Sequence, residues 1–79
     1  MTEQQALQLI NETLRKVLND RKVSATIDTD LVGDNVLDSL DGMVFLLEIS
    51  EQTGKTFPEK DLVKLGFFRV RTLVEILTT

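Results

Sequence analysis

Cysteine and histidine are both absent from this chain of 79 residues, as are tryptophan and tyrosine. Without thiols there are no disulfides and no thiolate-held metal. Without imidazole, the commonest general base and the commonest metal ligand are missing too. Acid–base chemistry would fall to carboxylates, lysine, arginine, serine and threonine, in a chain with little room for a substrate pocket. Catalysis by this chain alone is not expected, and no metal ligand set is assigned. No apolar run approaches the length of a membrane span, and residues 1–20 carry no signal-peptide pattern. The expectation is a cytoplasmic monomer with no membrane span.

What is present reads as a folded domain: 42% hydrophobic and 28% charged residues suit a globular chain rather than a disordered one. One domain over 1–79 is expected, near the lower limit for a core without staples. The acids are unevenly placed. Residues 23–54 hold Asp28, Asp30, Asp34, Asp38, Asp41, Glu48 and Glu51 and no lysine or arginine, while both flanks are net positive. An acidic middle disfavours nucleic acid and favours partners with basic surfaces. On composition alone, a solvated face is the simpler explanation.

Periodicity predicts an all-α chain. Thr2-Glu-Gln-Gln5 has the spacing of a capping box, and Leu7, Ile10, Leu14, Val17 and Leu18 follow at helical intervals, giving a helix over about 3–19. Residues 20–37 show no sustained period and form a long loop, pinned by Val23, Ile27, Leu31 and Val36. A second helix starts at Asp38 or Ser39, either of which can cap it, and runs to about Thr53 before Gly54. Its stripe is read as Met43, Leu46 and Ile49, with Leu40, Val44, Phe45 and Leu47 apolar beyond what one stripe needs. Pro58 suits the first turn of a short helix over about 59–65. Val70, Leu73, Val74 and Leu77 mark the last helix. The fold class is therefore a small four-helix bundle, three main helices and one short, with a long loop between helices one and two. Leu7, Ile10, Leu14, Val17, Met43, Leu46, Ile49, Leu62, Val70, Leu73, Val74 and Leu77 form its expected core.

The stretch Val36-Leu-Asp-Ser-Leu-Asp-Gly42 is the one that raises a chemical question, because a lone hydroxyl sits among carboxylates at the mouth of an apolar helix. A serine there ordinarily caps. The unpaired amides and positive dipole end of a helix also favour a phosphate, so the hydroxyl can equally be a point of attachment. A second reading takes Asp28-x-Asp30-x-Val32-Gly33-Asp34 as the opening of a calcium loop, but Val32 and Ser39 stand where ligands belong. A non-catalytic calcium-binding or protein-interaction module using the Asp28–Asp41 loop is the alternative this leaves. A serine nucleophile would need a base, and no Gly-x-Ser-x-Gly elbow is present.

Leu31 followed by Val36-Leu37-Asp38-Ser39-Leu40-Asp41 resembles the Asp-Ser-Leu attachment motif of acyl and peptidyl carrier proteins. The apolar helix through Glu51, Gly54, the Phe57-Pro58 step, Asp61-Leu62 and Phe67-x-x-Val70-x-x-Leu73-Val74 are similar to that family in order and spacing. The resemblance implies a four-helix carrier whose Ser39 bears 4′-phosphopantetheine. A phosphopantetheinyl transferase would attach the arm from coenzyme A with magnesium. An acyl- or aminoacyl-loading ligase and downstream synthase or transferase enzymes would then be its partners. Docking would use Asp38, Leu40, Asp41, Met43, Leu47, Glu48 and Glu51. The chain departs from fatty-acid-synthesis carriers at Val44 and Ser50, where those carry glutamates, at Thr53, where an aromatic is common, and at Arg69, where a Ser or Thr caps. Its motif followed by Phe-Pro also resembles free-standing D-alanyl or aminoacyl carriers.

Overall fold

The computed structural model describes residues 1–55, 57 and 68–79. Among them the chain is all-helical, with α1 at Glu3–Leu18, α2 at Ser39–Thr53 and α3 at Val70–Thr78, and with no strand. The short helix expected over 59–65, and Leu62 of the expected core, lie outside the described residues.

Local chemistry sets the helix ends. The Gln5 amide donates to Thr2 Oγ1 at 3.1 Å while the Thr2 amide donates to Gln5 Oε1 at 3.0 Å, so two otherwise orphaned donors are satisfied reciprocally. Asn19 closes α1 in the left-handed region, φ 51°, which asparagine tolerates better than most residues. Gly54 does the same for α2 at φ 74°. Arg69 precedes α3 without a side-chain cap. The Val70 amide instead donates to Thr29 O at 2.9 Å, so a partner from the loop between α1 and α2 replaces the missing cap.

α1 packs against both α2 and α3. The core holds Ala6, Ile10 and Leu14 of α1, Phe45, Leu46 and Ile49 of α2, and Val70, Leu73, Val74 and Leu77 of α3. Leu7 and Val17 are only partly buried against it. Met43 corrects the expectation: it is 49% exposed and lies outside the core, whereas Phe45 is fully buried. The physical reason is the step size. Residues three apart slip about 60° around a helix, so Met43 lies about 120° from Ile49, on the far side of Leu46 from Phe45. The true inner face is Gly42, Phe45, Leu46 and Ile49, the i, i+3, i+4, i+7 pattern.

Residues 19–38 carry turns rather than helix, yet they are tied down at both ends. Ala25, Leu31 and Leu37 are buried in the core. Asn11 of α1 grips the segment on both sides of one residue: its Oδ1 accepts the Ala25 amide at 2.7 Å and its Nδ2 donates to Ala25 O at 3.1 Å. Arg15 Nε donates to Val23 O at 3.0 Å. Further on, Asp30 and Arg69 form an antiparallel bridge, in which the Leu31 amide donates to Phe68 O at 2.9 Å. Asn11→Ala strips two partners from part-buried backbone groups, and a group left unsatisfied costs about 1–3 kcal/mol. Urea unfolding followed by circular dichroism should show a loss in that range. A loss under about 0.5 kcal/mol, typical of a surface site, would mean that the grip on Ala25 contributes nothing.

Candidate functional site

Asp38 has extended dihedrals, φ −83° and ψ 178°. This backbone swings its carboxylate over the first turn of α2, where Oδ1 accepts the Asp41 amide at 2.7 Å. Ser39 is consequently the first residue of the helix proper rather than its cap. It is exposed, and among the described residues its hydroxyl makes no hydrogen bond. Of the two possible caps read from the sequence, the structure uses Asp38. A cap needs the non-helical backbone that Asp38 has, and Ser39 is already helical. Immediately before the cap, Leu37 is buried and its amide donates to Leu31 O at 2.7 Å. The exposed serine therefore sits on a turn whose root is fixed.

Beside it α2 shows a second apolar face. Leu40, Met43, Val44 and Leu47 are 72%, 49%, 44% and 62% exposed. At about 100° per residue these four fall opposite Gly42, Phe45, Leu46 and Ile49, so α2 has apolar surface on both sides. Exposed Glu51 falls on the same outer face. Val44, one of the apolar residues beyond a single stripe in the sequence, belongs with this group. Its signal was the spacing 40, 44, 47, 51, a second stripe at i, i+4, i+7, i+11. A groove of about 410 Å³ runs along this flank, lined by Leu40, Met43, Val44, Leu46, Leu47, Ser50 and Phe57. The Ser50 hydroxyl is turned to Lys55 O at 2.5 Å.

The expected docking residues thus divide. Leu40, Met43, Leu47 and Glu51 share the outer face, and Asp38 stands exposed at its Ser39 end. Asp41 and Glu48 sit on the flank instead, both partly buried. Glu48 is paired with Lys16 of α1 at 3.0 Å.

Each loop aspartate has a partner within the chain. Asp28 pairs with Arg71 at 2.8 Å. Asp30 Oδ1 accepts the Gly33 amide at 2.8 Å, with its Oδ2 3.9 Å from Arg69 Nε. Asp34 Oδ2 accepts the Asp30 amide at 3.0 Å. A Cβ on Gly33 would stand 2.7 Å from the Asp30 carboxyl, so a larger residue there would push that carboxylate aside. Among the described residues no three His, Cys, Asp or Glu side chains gather where a metal ion could be held, and no helix is long and apolar enough to cross a membrane. The chain matches no protein-family model, no curated protein and no solved structure.

Proposed function

We propose that this chain is a non-enzymatic acyl carrier protein in which Ser39 bears 4′-phosphopantetheine. The observation that carries the reading is the state of Ser39: an exposed residue whose hydroxyl makes no hydrogen bond among the described residues, at the first position of α2, next to an exposed apolar face. The residues fit the group. A phosphodiester at a helix N-terminus meets the positive end of the dipole, and Asp38 already occupies the Asp41 amide, leaving the serine oxygen unencumbered. When bound, the arm supplies a terminal thiol that holds an acyl or aminoacyl group as a thioester. The chain's own part is placement.

Attachment requires a phosphopantetheinyl transferase, coenzyme A and magnesium. Ser39 Oγ forms the new bond to phosphorus, the pyrophosphate bond of coenzyme A breaks, adenosine bisphosphate leaves, and the hydroxyl proton passes to a base on the transferase. An acyl- or aminoacyl-loading ligase and downstream synthase or transferase enzymes complete the set of partners for this cytoplasmic monomer. This reading retains the sequence expectation of a short fourth helix over 59–65. Leu40, Met43 and Leu47 make apolar contact with those enzymes, flanked by Asp38, Asp41 and Glu51. Because Glu48 is already paired with Lys16 and Val44 and Ser50 are uncharged, a dedicated ligase suits the face better than the general elongation enzymes of fatty acid synthesis.

The test is direct. Incubated with coenzyme A, magnesium and a transferase of broad specificity, the full chain should gain the mass of one phosphopantetheinyl group, and fragmentation should map it to Ser39. A chain that gains no mass with several such transferases is not a carrier.

A further inference from the structure

The first turn of α2 is held from outside the helix. A Cβ built on Gly42 would stand 2.8 Å from Cε1 and 3.0 Å from Cζ of Phe68, so the far edge of that ring lies directly on the Gly42 backbone. Gly42 is buried, and its amide donates to Asp38 O at 2.8 Å. A second route joins the same two places through the main chain. Phe68 O accepts the Leu31 amide, and Leu31 O accepts the Leu37 amide at 2.7 Å, one residue before the Asp38 cap. Ring and main chain therefore converge on the turn that begins with Ser39, from a residue 29 positions further along the sequence.

We propose that Phe68 is a positioning residue for Ser39: its ring edge, seated on Gly42, keeps the start of α2 closed so that the serine hydroxyl is presented in one orientation. The glycine is the other half of the device, since no other residue lets the ring approach the helix backbone so closely. For its loading arm this inference rests on the carrier reading; for its structural arm it does not.

The contact dictates the variants. Leucine in Phe68→Leu retains the apolar branch near the core but lacks the two ring atoms that lie on Gly42. Gly42→Ala keeps the ring and fills its seat. Each change alone should open the turn, and combining them should close it again, because the new methyl group occupies the space left by the missing ring edge.

Amide hydrogen exchange on the unloaded chain reads the turn at Asp41 and Gly42, with Leu14 and Leu73 as references for global opening. Either single variant should lower protection at Asp41 and Gly42 by about tenfold relative to those references, and the double variant should recover it. Loading of Ser39 from coenzyme A should slow several-fold in the singles and recover in the double.

Losses that simply add in the double variant overturn the proposal, as do reference amides that fall in step with Asp41 and Gly42. So does a loading rate indifferent to both single changes. A wild-type chain that is never loaded defeats the carrier reading instead, and leaves the exchange arm to decide whether Phe68 holds the turn.

Discussion

Phe45→Ala is expected to lower the free energy of unfolding by about 3–5 kcal/mol, comparable with everything that a core of this size supplies. Phe45 is the largest fully buried side chain described, in contact with a cluster drawn from all three helices and from Leu31 and Leu37 of the connecting segment. Removing the ring leaves a cavity where the helices meet, and there are no disulfides to hold the chain together around it. Met43→Ala is the matched control. Met43 is two residues away but on the outer face, and a change there should stay within about 0.5 kcal/mol. With no tryptophan or tyrosine in the chain, urea titration followed by far-ultraviolet circular dichroism is the appropriate measurement. Equal losses in the two variants would mean that α2 is rotated about its axis relative to the structure described.

Ser39→Ala should abolish phosphopantetheine loading completely while leaving stability within about 0.5 kcal/mol of the parent. Both halves follow from the same geometry. The hydroxyl makes no hydrogen bond among the described residues, and the cap on the Asp41 amide belongs to Asp38, so the fold does not depend on it. On the proposed carrier reading, loading would depend on it entirely, because no other hydroxyl lies in the first turn of α2. Mass spectrometry of the variant after prolonged incubation with coenzyme A, magnesium and transferase is decisive: any phosphopantetheinyl adduct would show that the arm sits elsewhere. A large loss of stability would show instead that the hydroxyl has a structural role, returning Ser39 to the ordinary capping function of helix-terminal serines.

The helix ends and the place of Ser39 were legible in the sequence because they depend on residues within one turn of each other. Thr2 with Gln5, Asp38 with Asp41, and Gly54 with Ser50 each act over at most four positions. Helical spacing likewise identified the inner residues of α3, and Ile10 and Leu14 of α1, but it missed the buried Ala6 and took in Leu7 and Val17, which are only partly buried. It failed on α2, which has two apolar stripes. Periodicity places both stripes but cannot choose between them, and Met43 was assigned inward while Phe45 took that position. The choice is made in the tertiary structure, where Phe45 joins Ile10, Leu14, Leu31 and Val70 in the core and Met43 stays 49% exposed. The remaining decisions are longer-ranged still: Asn11 on Ala25, Thr29 in place of a cap for α3, Phe68 on Gly42. Each pairs residues that no local pattern connects. They exist only once α1 and α3 have brought the intervening segment against α2, and they turn an exposed serine at a helix start into one on a fixed turn beside an apolar face.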